Sequence, residues 1–261
     1  MARLANKTVV VTGAGSGIGQ AIALALAENG ARVLAVDLSE NGLEETVALV
    51  GQSDIFATLV GDVTDTELPA AIRATLERLG WRWNALVNNA GIGGGGSAHQ
   101  CDDDTLRRYF DVNVNGLFRL SRAAVEDWLA TPAGEDRVIL NLASVYSFIG
   151  ATASAAYSTS KAAVAGLTRQ MATDYGPDGI RVVALAPGLI ETPLTAARIK
   201  SESWRRQIFI DQSPLRRVGT PRDVANGAVF LISEEAAFIT GETLRIDGGW
   251  TLGRYPRPLE S

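Results

Sequence analysis

Tyr157 and Lys161 stand four residues apart in Tyr157-Ser158-Thr159-Ser160-Lys161, so on a helix they share one face. A free phenol titrates near 10 and is a poor base at neutral pH. A neighbouring ammonium stabilises the phenolate and lowers that value. Such a pair can take a proton from an alcohol or return one to a carbonyl. Read alone, the same two residues are also an ordinary solvated helix pair. A second candidate is Thr12-Gly13-Ala14-Gly15-Ser16-Gly17-Ile18-Gly19, between an apolar run and a helix. Glycines there permit a tight turn and close backbone approach to a pyrophosphate, to which the helix amino end offers free N–H groups. A plain glycine-rich turn is the alternative. Asp37 lies 18 residues beyond Gly19, where a carboxylate can accept hydrogen bonds from ribose hydroxyls and repel a 2′-phosphate. An exposed loop or capping Asp would look the same.

These residues need elements to position them. Strand candidates are Thr8–Thr12, Arg32–Asp37, Ile55–Val60, Ala85–Asn89, Arg137–Ala143, Arg181–Ala186 and Thr243–Ile246. Most are apolar without alternation, as in Val9-Val10-Val11 and Val138-Ile139-Leu140, which is the pattern of strands covered on both faces. Helix candidates between them include Gly19–Asn29, Pro69–Leu79, Thr105–Leu129 and Ala156–Tyr175, with stops at Asn29-Gly30 and Gly176-Pro177. The alternation predicts an α/β fold: one doubly wound Rossmann domain over 1–261, with about seven parallel strands and helices on both faces. Glu191–Pro214 interrupts the rhythm as an insertion between the last two strands, and the tail from Gly253 is left unassigned.

The glycine spacing, T-G-x-x-x-G-x-G, resembles the classical short-chain dehydrogenase/reductase family, and further landmarks match in order. Asn88-Asn89-Ala90-Gly91 follows the fourth strand, and Asn113 sits in Asn-Val-Asn-Gly reading as helix. Ser144 ends the fifth strand, Tyr157 to Lys161 open the next helix, and Pro187-Gly188 end the sixth strand. The resemblance covers residues 5–250 and implies Asn113, Ser144, Tyr157 and Lys161 as catalytic residues. Ser144 would hydrogen-bond the substrate oxygen as charge develops on it. Lys161 would also hold the nicotinamide ribose, and the positive ring would lower the Tyr157 pKa further. Asn113 would support a water carrying protons from Lys161 to solvent.

For the cofactor the resemblance implies contacts from Gly13, Ser16, Gly17, Ile18, Gly19 and Asp37, then from Asp62, Val63, Asn89, Ala90 and Gly91. Pro187, Gly188, Ile190 and Thr192 would complete the set beside Tyr157 and Lys161. Asp62-Val63 resembles an adenine-contacting pair, although Asp62 also suits a plain turn. Asn89 would also tie neighbouring strands. Thr192 resembles the carboxamide-binding residue, and it equally suits a helix N-cap before Pro193. Asp37, with uncharged Ser16 and Leu38 beside it, favours NAD over NADP.

The pocket should form over the nicotinamide, walled by Gly93–Gly96, Val145–Ile149 and the Leu194–Ile210 insertion. Trp204, Ile208, Phe209, Ile210, Tyr146 and Phe148 suggest an apolar pocket for a cyclic or aromatic secondary alcohol and its ketone. They equally suit packing of the insertion, which could act as a mobile lid. The small apolar face of Ala156–Gly166 needs cover beyond one sheet, and the resemblance implies a homotetramer.

Composition excludes other classes. The 261 residues are 46% hydrophobic and 20% charged, enough for a sizeable core. A net charge of −5 with no basic run disfavours nucleic acid and anionic membranes. One Cys and one His build neither a disulfide framework nor a closed zinc site, so no metal is expected. Cys101 reads as an inert thiol and His99 as a surface loop residue. Val138–Ser160 is uncharged but too rich in Ser and Thr for a membrane span. Arg3, Asn6 and Lys7 ahead of the first strand are unlike a signal peptide, so a cytoplasmic protein is expected. Within the family a 3-oxoacyl-carrier-protein reductase is an alternative, since Arg198, Lys200, Arg205 and Arg206 would suit an acidic carrier. Asp37 fits poorly with its usual NADPH. A polyol or sugar dehydrogenase is another alternative, and a non-catalytic NAD-sensing protein would be a different class.

Overall fold

The computed structural model describes residues 3–5, 7–51, 53–131, 136–201, 204 and 206–253. Arg205 and the tail beyond 253 lie outside the described residues, as do the side chains of Leu194, Arg198 and Arg206. Seven strands form one sheet: β1 (Thr8–Thr12), β2 (Arg32–Asp37), β3 (Phe56–Val60), β4 (Ala85–Asn88), β5 (Arg137–Leu142), β6 (Ile180–Pro187) and β7 (Thr243–Ile246). Their order is β3-β2-β1-β4-β5-β6-β7, and every pairing is parallel. Because β1 pairs with both β2 and β4, the strand order reverses there, and a crevice opens at the carboxyl ends of the strands.

Among the described residues the α-helices are α1 (Gly17–Glu28), α2 (Glu40–Val50), α3 (Leu68–Leu79), α4 (Asp103–Phe110), α5 (Leu117–Leu129), α6 (Ala155–Tyr175), α7 (Pro193–Ser201) and α8 (Pro221–Ile232). Unbroken apolar strands serve two cores. Val9 and Val11 pack with Ile22 and Leu26 of α1 and with Val224 and Val229 of α8. Val10, one residue between them, packs with Ile72 of α3 and with Leu120 and Trp128 of α5 on the other face. Among the described residues no helix is long and apolar enough to cross a membrane.

Polar groups pin the sheet at both levels. At the amino ends, Asp136 accepts Lys7 Nζ at 2.7 Å and Arg181 Nε at 3.1 Å. Arg181 also donates to Leu231 O at 2.8 Å, satisfying a carbonyl at the end of α8. Deeper in, Asn88 Nδ2 donates to Ser121 Oγ and Asn141 Oδ1, both at 2.9 Å, and Asn141 Nδ2 donates to Thr168 Oγ1 at 3.0 Å.

One expected helix is not continuous. The apolar pattern of 105–129 predicts a single helix, but Asp111–Gly116 between α4 and α5 is π-helical. The extra residue in that turn re-aims Asn113, which would otherwise sit in regular helix. α4 itself begins earlier than expected, because the Asp102 side chain accepts the Thr105 N–H at 2.7 Å and caps it.

Candidate active site

The turn from β1 into α1 carries the glycine run. Gly17 sits at φ +57, which favours glycine, and a Cβ on Gly19 would overlap the Gly13 carbonyl. Ser16 occupies the N-cap of α1 without a side-chain cap bond, and no acidic residue stands in the first turn. The first N–H groups of α1 are therefore open to an anion. Asp37, at the end of β2, accepts the Gly15 N–H at 2.8 Å through Oδ2 and the Ser39 N–H at 2.9 Å through Oδ1.

Across the crevice, Asn89 takes the strand-tying part. Its Nδ2 donates to Thr12 O at 3.0 Å and Gly13 O at 3.1 Å, while Thr12 Oγ1 accepts the N–H groups of Asn89 and Ala90. Asp62 closes a turn by accepting the Thr64 N–H at 2.8 Å. Val63 O accepts Arg119 Nη1 at 2.9 Å, which holds this corner against α5. Asn113 is buried behind Gly91, its Oδ1 accepting the Ile92 N–H at 2.8 Å. Its Nδ2 donates to Ile92 O at 3.1 Å and Ser160 Oγ at 3.0 Å, so the side chain is engaged by its neighbours.

Ser144 follows β5 and caps a short turn, accepting the Tyr146 N–H at 3.2 Å. α6 presents Tyr157 and Lys161 on the face expected from their spacing. Lys161 Nζ donates to Leu142 O at 2.7 Å and lies 5.9 Å from the Tyr157 ring centroid. Burial pushes the Lys161 ammonium down to about 8. The Tyr157 phenol departs from expectation: burial pushes it above its ordinary value, against the opposing hydrogen bond with Ser144. Its ring is boxed edge-on by Tyr146 at 6.2 Å and Tyr109 at 6.5 Å, and the ammonium is committed to a backbone carbonyl rather than to the phenol. Lowering of the phenol from the ordinary value is therefore not built into the protein groups alone.

A cavity of about 870 Å³ runs along the carboxyl ends of the strands. Its walls include Gly13, Ser16 to Gly19, Asp37, Asp62, Val63 and Asn89 to Gly91. Ser144, Tyr157 and Lys161 line it too, with Pro187, Gly188, Ile190 and Thr192. Of the catalytic and cofactor-binding residues expected from sequence, Asn113 alone is absent from this wall and stands behind it. Thr192 precedes α7; its N–H donates to Thr195 Oγ1 at 2.9 Å, and its hydroxyl meets the same oxygen at 3.1 Å. The groove fits a dinucleotide, with open helix N–H groups at its middle, the Asp37 carboxylate at one end and the Ser144–Tyr157 pair at the other.

Of the two uses expected of the insertion's apolar residues, the structure shows packing. Phe209 is buried and stacks on Trp250 at 4.7 Å, with Trp204 at 6.4 Å, in a cluster with Val145 and partly buried Tyr146, Leu189 and Ile208. These side chains pack the insertion onto the body rather than lining the main cavity. Phe148 is half exposed and lies under the Arg245 guanidinium at 5.6 Å. His99 is exposed in a short turn and Cys101 is a free thiol, as expected. Among the described residues no group of three or more potential ligands could hold a metal. Gly42 and Thr46 at the glycine loop, and Tyr109 beside Tyr157, were not legible as site residues, because only the fold brings them there.

A family model described as enoyl-(acyl carrier protein) reductase matches residues 13–251. The 2-(S)-hydroxypropyl-CoM dehydrogenase 3 of Xanthobacter autotrophicus is 37% identical over 254 residues, covering 95% of this chain and 98% of that one. Galactitol 2-dehydrogenase of Rhizobium johnstonii is 39% identical over 252 residues, covering 95% and 96%. Among solved structures, a protein from Beutenbergia cavernae described as an NAD(P)-dependent gluconate 5-dehydrogenase has a TM-score of 0.87 at 37% identity. That likeness covers 97% of this chain and 100% of the other, which holds NADP at low occupancy.

Proposed function

The chain belongs to the classical short-chain dehydrogenase/reductase family, and from that premise we propose that it is an NAD-dependent oxidoreductase interconverting a secondary alcohol and its ketone. One observation carries the reading: Ser144, Tyr157 and Lys161 converge in the same cavity whose other end is the glycine loop and Asp37. The α1 amino end and Gly13 to Gly19 would hold the pyrophosphate, Asp37 the adenosine ribose, and Lys161 and Thr192 the nicotinamide half. A nicotinamide bound there supplies the hydride acceptor for oxidation and the donor for reduction.

Ser144 Oγ holds the substrate oxygen by hydrogen bonding, and its alignment is set by its own contact with Tyr157. Tyr157 Oη takes the alcohol proton in oxidation and returns it in reduction. Burial alone disfavours the phenolate, so positive charge beside the ring is needed to bring Tyr157 into a useful range. Lys161 supplies part of that charge once Nζ is drawn from Leu142 O toward the site. Asn113 positions Gly91 and Ile92 beside Lys161, in keeping with a proton path to solvent.

Asp37 supports NAD over NADP, because a 2′-phosphate would meet its carboxylate. The reading further takes 1–261 as one cytoplasmic domain with 191–214 as its substrate loop, working as a homotetramer. Exposed Ala162 and half-buried Ala163 and Gly166 on α6 support a partner subunit over that face. For the substrate, packing of Phe209 and Trp250 against each other favours a second reading beside the apolar cyclic alcohol, a polar acyclic one of the polyol type. Relatives named for galactitol and gluconate support it.

Initial-rate oxidation of aliphatic, cyclic, aromatic and polyol alcohols with NAD and NADP tests all of this. Turnover with NAD well above NADP is expected, and the best alcohol separates the two substrate readings. Preference for NADP overturns the cofactor choice. Absence of turnover together with NADH binding would favour a sensing protein.

A further inference from the structure

We propose that Thr46 of α2 is a positioning residue for the glycine loop, and that cofactor affinity depends on its hydroxyl; this rests on the dinucleotide reading of the groove. Thr46 is fully buried, yet polar. Its Oγ1 lies 2.9 Å from Ala14 O and accepts Gln20 Nε2 at 3.0 Å. Gln20 Nε2 in turn reaches Gly15 O at 3.4 Å. Two successive carbonyls of the loop are thus held toward α2 by one hydroxyl and one amide.

The geometry of the peptide unit makes that consequential. A trans peptide is planar with its C=O and N–H opposed, so turning the Gly15 carbonyl toward α2 turns the Ser16 N–H the other way. Ser16 and Gly17 line the cavity on that other side. The brace therefore fixes the direction of an N–H group in the anion site before any anion arrives, which lowers the ordering cost of binding.

Helix α2 also comes unusually close. A Cβ on Gly42 would stand 2.9 Å from Gly15 O, and a Cβ on Gly15 would stand 2.9 Å from Asp37 Cγ. The loop is wedged between α2 and the Asp37 carboxylate, with no slack for a side chain on either glycine. Thr46 lies one turn along α2 from Gly42, and its single hydroxyl proton is shared between Ala14 O and the Gly42 carbonyl, each at 2.9 Å.

The test is NADH titration by fluorescence, with melting temperature and kcat measured on the same samples of Thr46→Val, Thr46→Ser and Gly42→Ala. Losing one net hydrogen bond of about 1 kcal/mol converts to roughly a fivefold rise in Kd. Thr46→Val is expected to raise the NADH Kd about fivefold or more, with kcat at saturating cofactor within about twofold, and Thr46→Ser to restore binding. Gly42→Ala, acting by steric contact, is expected to weaken NADH binding independently of any change at Thr46. An NADH Kd unchanged in Thr46→Val would overturn the proposal, whatever its melting temperature. A wild-type protein that binds neither NADH nor NADPH would instead overturn the dinucleotide reading on which it stands.

Discussion

The amide of Gly15 and the carboxylate of Asp37 are joined by a 2.8 Å hydrogen bond, so the residue expected to read the ribose also closes the glycine loop. Asp37→Ala removes both. Loss of a hydrogen bond to a charged group, about 1.5–3 kcal/mol, should lower kcat/KM with NAD roughly 10- to 100-fold. Activity with NADP should fall less or rise, because the repulsive charge has gone. Parallel losses with the two cofactors would remove Asp37 from the selection.

Tyr157→Phe keeps the ring and its edge-on contacts with Tyr109 and Tyr146 but loses the proton-carrying oxygen. Turnover is expected to drop by a factor of about 10² to 10⁴ while NADH binding stays near wild type. Persistent turnover would place the proton transfer on another group.

Lys161 gives a pH signature without substrate. Its ammonium is pushed from 10.5 to about 8 by burial, so between those values the unfolded chain binds a proton that the folded one does not. Stability in that window rises with pH. The Tyr157 phenol is pushed upward, and its contribution runs the other way, falling as pH rises past 10. Relative to Lys161→Met, the cofactor-free wild type should therefore gain about 2 kcal/mol between pH 8 and 9.5, read by urea denaturation. Parallel curves across that range would show that Lys161 is not charged and buried at neutral pH.

At the opposite end of the sheet, Asp136 joins β1, β5 and β6 through Lys7 and Arg181. Burial would raise its carboxyl, but the two cations outweigh burial and hold it below the usual carboxylate value. Its contribution is then present above about pH 4 and lost as the pH falls through the native value. Asp136→Asn should cost about 2 kcal/mol at pH 7, a figure reduced from the fully buried case because the carboxylate is partly exposed. Wild type and variant should converge in acid. A constant difference down to pH 3 would mean the loss is packing rather than charge.

The sheet could be read from sequence because strands such as Val9 to Val11 are apolar on both faces and leave few alternatives. Tyr157 and Lys161 were equally legible, since a four-residue spacing needs only a helix to become one face. The π-helical turn at Asn113 was not, because the apolar pattern of 105–129 runs through it with hardly a break. Nor was the state of the phenol, which depends on burial and on Lys161 bonding Leu142 O. Phe209 and Ile208 read the same whether they line a pocket or hold an insertion down, and only the stack on Trp250 decides between them. Thr46 looks like any polar residue of an amphipathic helix until the glycine loop is seen lying against it.

The π-helical stretch over Asp111–Gly116 also sets how the gene for this protein can change length. One residue corresponds to about 100° of helix rotation. Deleting a residue there would restore a regular helix and swing α5 by that angle relative to α4. Trp128, whose indole donates to Trp83 O at 2.8 Å, would leave its core position, or Asn113 would leave Ile92. No neighbouring loop can absorb the change, because the two helices are joined through the stretch itself.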